Sequence, residues 1–102
     1  MIYLDHHAST PIAPEVIEVM ASALGELSGN PGSVHRPGRA ARAAVDQARR
    51  RVAALINSRE REIVFTSGGT EANNLALRGA WLARRQQRNR IITSSVEHPA
   101  VL

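Results

Sequence analysis

The 102-residue chain contains no cysteine, and all thirteen of its basic side chains apart from histidine are arginines, so lysine is missing as well. The first absence excludes disulfides and thiolate metal sites, which suits a reducing compartment. The second excludes any chemistry routed through a lysine amine and any phosphate loop of the GxxxxGK[ST] type. Aromatic residues make up only 3%, a single Trp, Tyr and Phe. A core would therefore rest on Leu, Ile, Val and Ala, with Trp81 and Phe65 as its large pieces. No apolar run approaches the roughly 20 residues of a membrane span. The N-terminal MIYLDHHASTP lacks the basic start and apolar middle of a signal peptide, and a cytoplasmic chain without membrane contact is the expectation.

What remains is enough for one small domain, able to bury roughly two-thirds of the surface its unfolded form exposes. Thirteen cations against nine carboxylates raise the pI to about 11.3. Such a balance invites a nucleic-acid partner, because arginine neutralises phosphates and displaces counterions. The distribution argues against it: the arginines run from Arg36 to Arg90, are broken by Asp46, Glu60, Glu62 and Glu71, and form no tail or aromatic-interleaved platform. Solvated helix faces account for them more simply.

Ile2 to Leu4 reads as a short strand before the polar DHHAST turn. Pro14 and Glu15 mark a helix start, with a proline whose missing N–H costs nothing and a carboxylate near the positive end of the dipole. Val16, Met20, Leu24 and Leu27 then recur at helical spacing. Residues 28 to 38, SGNPGSVHRPG, hold three glycines and two prolines and read as a long loop of functional character. From Arg39 to about Asn57 an amphipathic helix places Ala41, Ala44, Val45, Ala48, Val52, Leu55 and Ile56 on one face. Ile63 to Thr66 reads as a strand, residues 70 to 87 as a helix, and Arg90 to Ser94 as a second strand.

Strand, helix and strand in that order form a βαβ unit with parallel strands and a right-handed crossover. Its helix, apolar around most of LALRGAWLA, should be buried on two sides. Two parallel strands make an unfinished sheet, and the last residues follow closely on a His-Pro helix start, so a piece of a longer protein is expected.

The turn between the first strand and its helix carries the most chemistry. Ser67, Gly68, Gly69 and Thr70 can aim successive N–H groups and two hydroxyls at one oxyanion, at the positive end of a helix dipole. A plain alternative reads the same residues as a strand-to-helix turn needing a positive φ, with Thr70 as N-cap. Both stand at this point. His98 follows the second strand and so lies on the same carboxyl edge, where open α/β sheets place ligands. Imidazole titrates near about pH 6.5, fitting proton transfer, and its flat ring can lie against a planar group; the bland reading is a polar residue before Pro99. His6, His7 and His35 give no converging metal ligands. Ser67, His98 and Asp5 lack the GxSxG elbow of a hydrolase.

Four segments resemble the N-terminal part of cysteine desulfurases: YLDHHASTP, GNPGSVH, EIVFTSGGTEANNLAL and VEHPAVL, in the family's order and spread along the whole chain. Ser9, where threonine is usual, and Gly32, where serine is common, are mild departures. The resemblance implies a class-V aminotransferase of pyridoxal-phosphate fold type I, an α/β fold whose N-terminal helices precede the βαβ unit. By that likeness residues 1–58 form an N-terminal arm, loop and amphipathic helices, and residues 59–102 begin the cofactor-binding domain.

Gly69 and Thr70 would hold the phosphate of pyridoxal 5'-phosphate, and His98 would stack on its ring and assist proton transfer as the catalytic residue of this segment. Asn30 to His35 and Asp5 to Thr10 would lie near the active site or a dimer contact. The implied reaction converts L-cysteine to L-alanine and passes the sulfur, as an enzyme persulfide, toward iron–sulfur or related cofactors. A homodimer and a sulfur-acceptor or cluster scaffold protein are the implied partners. Relatives of this kind need a lysine to condense with the cofactor aldehyde and a cysteine thiolate to take the sulfur. This chain has neither, and alone it is expected to be inactive. Another class-V relative such as a selenocysteine lyase, or a non-catalytic module binding a partner protein or nucleic acid, are the competing readings.

Overall fold

The computed structural model describes residues 2–6 and 8–102. Three helices dominate: α1, Pro14–Glu26; α2, Arg36–Leu55; and α3, Gly69–Arg84, with a single 3₁₀ turn at Glu60–Glu62. The chain divides into two compact units, one ending at Ile63 and the other running from Val64 to Leu102.

Within the first unit, α1 begins where its sequence signals place it. Pro14 occupies the first turn, Glu15 supplies the acidic residue there, and Leu27 N–H closes the helix on the Ala23 carbonyl at 2.9 Å. By contrast, α2 starts at Arg36 rather than at Arg39. Pro37 and Gly38 read as helix breakers, yet a proline in a first turn gives up an N–H that has no intrahelical partner anyway. His35 caps this start: its Nδ1 accepts from Gly38 N–H at 3.2 Å. At the other end Asn57 adopts φ 53°. Its N–H reaches the Ala54 carbonyl at 3.3 Å, and Ser58 N–H reaches that of Ala53 at 2.9 Å. This is the paired closure that a left-handed residue after a helix permits.

The 28–38 segment is ordered rather than loose. Asn30 Oδ1 accepts from Gly32 N–H at 2.8 Å and the Asn30 carbonyl from Ser33 N–H at 2.9 Å. Arg39 bonds to the Val34 carbonyl. A Cβ on Gly38 would lie 2.5 Å from the Ser33 carbonyl oxygen, and one on Gly29 would lie 2.2 Å from the Pro37 carbonyl carbon. Glycine at both positions is thus a packing requirement.

Burial is slight. Ala41 and Ala53 are the buried apolar side chains among the described residues, with Gly38 beside them on α2. Of the stripe predicted on α2, Leu55 is 84% exposed, and on α1 Leu24 is 83% exposed. Trp81 and Phe65, expected as the large core pieces, are also exposed. Between α1 and α2 lies an open groove of about 950 Å³, lined by Val19, Ala23 and Leu27 on one side and Ala44, Val45 and Ala48 on the other.

In the second unit, α3 has no buried residue, correcting the expectation of a helix buried on two sides. Burying an all-round apolar helix takes packing elements on both faces, and this unit contains no second helix or strand among the described residues. The helix also ends at Arg84, short of residue 87, and passes into a turn in which Gln87 and Arg88 N–H groups share the Arg84 carbonyl, each at 2.8 Å. No strand occurs among the described residues: Ile2 to Leu4, Ile63 to Thr66 and Arg90 to Ser94 carry no ladder pairing. A strand is defined by its neighbour, and an apolar β-prone run without one has no ladder to join.

Candidate active site at the start of helix α3

The start of α3 is built by glycine and a carboxylate. Gly68 is the N-cap in a fully extended conformation, φ 167° and ψ −177°, and no side chain caps the helix directly. No glycine among the described residues lies in the left-handed φ region, so Gly68 and Gly69 do not answer to turn geometry. Nor do they answer to packing, because a Cβ at either position would meet nothing within 4 Å. Thr70, considered as an N-cap, lies instead inside the first turn.

Ser67 does not contribute to a four-residue cradle. Its N–H and its Oγ both donate to Glu71 Oε2, each at 2.7 Å. That pair of bonds draws the Glu71 carboxyl below its ordinary value, the backbone N–H contributing more than the hydroxyl and slight desolvation opposing both. Farther back, Thr66 Oγ1 donates to the Gly68 carbonyl at 3.2 Å, and Asn74 Nδ2 to that of Thr70 at 3.0 Å. The N–H groups of Gly69, Thr70 and Glu71 donate to no acceptor among the described residues, as expected of a first helical turn. The donors left free in the segment are therefore the N–H groups of Gly69, Thr70 and Glu71, while the Glu71 carboxylate takes those of Ser67. Sequence reasoning passed over Glu71; the S-x-x-x-E spacing was visible, but only the fold shows which donor it takes.

Because these bonds hold the folded carboxyl below its unfolded value, the stability they contribute is fully present above the unfolded value and is lost as pH falls through the depressed one. A carbon-13 titration of the Glu71 carboxyl should show a midpoint below the ordinary glutamate value, and Ser67→Ala should return it toward that value. A midpoint that ignored Ser67→Ala would contradict the assignment.

His98 heads a turn rather than a helix. Its carbonyl accepts from Val101 N–H at 2.8 Å and its Nδ1 from Ala100 N–H at 3.1 Å. With Nδ1 accepting, the neutral ring carries its proton on Nε2, which is the nitrogen left to face a ligand. The ring is exposed. The structure gathers Gly69 and Thr70 into one turn and holds His98 in another, and none of the four cavities described is lined by both.

Toward the N-terminus, the hydroxyl of Tyr3 bridges the Asp5 carbonyl and Ser9 Oγ, both at 2.9 Å, and its ring meets that of His6 edge to face at 5.1 Å. Thr10 Oγ1 donates to the His6 carbonyl at 3.2 Å. His7 lies outside the described residues. No group of His, Cys, Asp or Glu among the described residues could hold a metal, and no helix there is long and apolar enough to cross a membrane.

Comparison with known proteins covers the same segments. The family model for class-V aminotransferases matches residues 2–102. A cysteine desulfurase of Frankia sp. is 53% identical over 102 residues, covering all of this chain and 24% of that protein. A putative cysteine desulfurase IscS 1 of Bacillus subtilis is 50% identical, covering 99% of this chain and 27% of its own length. An IscS-like cysteine desulfurase of Mycobacterium tuberculosis is 48% identical, with 100% and 26% covered. The chain thus spans about a quarter of the length of these relatives. A match along the whole described chain, through the glycine turn and the His98 segment alike, shows that the chain belongs to the class-V aminotransferase family.

Proposed function

We propose that this chain is the N-terminal quarter of a cysteine desulfurase and supplies the phosphate cradle of its pyridoxal-phosphate site. The observation that carries the reading is the first turn of α3, where Gly69 and Thr70 N–H groups have no acceptor among the described residues while Glu71 takes Ser67. Open space at the Cβ positions of both glycines fits a phosphate approaching the backbone. The relatives named as cysteine desulfurases support the choice within the family.

Bound there, the cofactor supplies an electron sink for charge developing at the α-carbon of an amino acid. Gly69 and Thr70 would anchor its phosphate by backbone N–H groups, with Thr70 Oγ1 as a further donor. The positive end of α3 favours the dianion. His98 would lie against the pyridine ring and hold or move a proton at Nε2, the nitrogen that its turn leaves free. L-cysteine is the substrate and L-alanine the product on this reading, with the thiolate and the lysine supplied outside these residues. A homodimer, a sulfur-acceptor or scaffold protein and a cytoplasmic setting follow from the same reading. Residues 59–102 would open the cofactor-binding domain, and the 63–66 and 90–94 runs would become parallel strands flanking α3 once neighbouring strands complete the sheet.

The test mixes the chain with a polypeptide supplying the remaining three-quarters of the Frankia relative. Alanine release from L-cysteine and the yellow absorbance of bound cofactor should appear only in the mixture, and Thr70→Val should weaken cofactor retention there. A soluble, stably associated mixture that stayed colourless would sink the proposal.

A further inference from the structure

Two consecutive glycines lead into α3, and neither is held by packing: a Cβ at Gly68 or Gly69 would meet nothing within 4 Å. Glycine has the most backbone freedom to lose on ordering, so the direction in which the chain enters the helix has to be fixed by other residues. No side chain caps the helix start. Ser67 is instead tied to α3 by the Glu71 carboxylate, one helical turn on. The Ser67 N–H and Oγ converge on a single oxygen, Oε2, each at 2.7 Å. Thr66 Oγ1 adds a 3.2 Å bond to the Gly68 carbonyl. A carboxylate is not what an anion site by itself would select, because it puts negative charge into the turn whose free N–H groups would take the phosphate, and like charges repel. Its geometry has to outweigh that repulsion.

From this arrangement we infer that Glu71 is a positioning residue for the phosphate cradle, holding Ser67 so that the Gly69 and Thr70 N–H groups are set before the ligand arrives. The inference rests on the proposed pyridoxal-phosphate site. Glu71 acts in it through Ser67 and the two glycines, not as a ligand of the phosphate. Without the tie, residues 67–69 would be ordered only on binding, and ordering one backbone residue weakens association by about fivefold to thirtyfold. Loss of Glu71 would also release the Ser67 N–H and Oγ as further donors, so a carboxylate that merely competed with phosphate would give the opposite result. Because both bonds end on one oxygen, a glutamine carbonyl can accept both without charge. Aspartate keeps the charge and loses the reach.

The test mixes the unaltered chain, Glu71→Ala, Glu71→Asp or Glu71→Gln with a polypeptide supplying the rest of the Frankia relative, and measures the pyridoxal phosphate retained on dialysis at neutral pH. Glu71→Ala and Glu71→Asp should hold the cofactor about tenfold less tightly, as expected when one backbone residue is left to order on binding. Glu71→Gln should hold it as tightly as the unaltered chain, or more so. A second readout needs no ligand: the Ser67 amide proton should resonate downfield in the unaltered and glutamine chains and move upfield in the alanine and aspartate ones. Equal retention throughout, tighter retention by Glu71→Ala, or equal losses in Glu71→Asp and Glu71→Gln overturns the inference and leaves the cradle standing. An unaltered mixture that retains no cofactor overturns the cradle itself, and the inference with it. Should Glu71→Ala lose helicity, the aspartate and glutamine pair decides, since both keep a side chain suited to this part of the helix.

Discussion

Replacing Gly29 by alanine is expected to destabilise the first unit by about 1–3 kcal/mol, the usual range for a side chain forced into filled space. The added Cβ would stand 2.2 Å from the Pro37 carbonyl carbon, 2.3 Å from its oxygen and 2.5 Å from Gly38 nitrogen. All three atoms belong to backbone in the first turn of α2, so no side chain can swing aside. The loop would have to lift from the helix start, putting at risk the His35 cap and the bond from Arg39 to the Val34 carbonyl. With Ala41 and Ala53 as the buried apolar side chains among its described residues, the unit has little in reserve. Gly25 is the internal comparison: it lies within α1 with nothing within 4 Å of its Cβ position. Gly25→Ala should therefore stabilise, by up to about 1 kcal/mol, as alanine does in exposed helix positions. Denaturation followed by helical circular dichroism separates the two. Equal midpoints for Gly29→Ala and the unaltered chain would show that the packed loop is not a condition of the fold.

The contrast between these glycines shows what the sequence made legible. Local chemistry could be read: Pro14 and Glu15 start α1, and the alternation of alanine and arginine marks α2. The α2 start was misplaced because Pro37 and Gly38 have opposite meanings inside a helix and in its first turn, and composition cannot say which applies. Strands were the least accessible element, since Ile63 to Thr66 has the apolar β-prone run but a ladder depends on chain far away. At the candidate site, α3 begins at Gly69, one residue before the expected start, and the sequence does not apportion the donors of residues 67 to 70. Ser67 and Thr70 look equivalent in sequence. The reach of Glu71 back to Ser67 distinguishes them, and that reach depends on one turn of helix being in place.

Gly69→Pro is expected to lower the affinity of the chain for phosphate groups about tenfold or more while leaving α3 intact. Gly69 is the first residue of α3, the position at which proline is favoured because its fixed φ suits the helix and its missing N–H has no helical partner. Gly68 before it is already extended, as a residue preceding proline prefers. The substitution thus removes one donor from the proposed cradle and little else. A hydrogen bond to a charged acceptor contributes about 1.5–3 kcal/mol, which is roughly tenfold to a hundredfold in affinity. Titration with inorganic phosphate and with pyridoxal phosphate, read from the amide signals of Thr70 and Glu71, measures the loss, and circular dichroism checks the helix. Gly69→Ala separates donor from space: it keeps the N–H and adds a Cβ that meets no atom of the chain, so any weakening in that variant measures how closely the ligand approaches the backbone. If Gly69→Pro bound both ligands as the unaltered chain does, the Gly69 amide would have no part in the cradle. The phosphate would then have to rest on Thr70 and the helix dipole alone, with an affinity that falls with salt as a dipole interaction does.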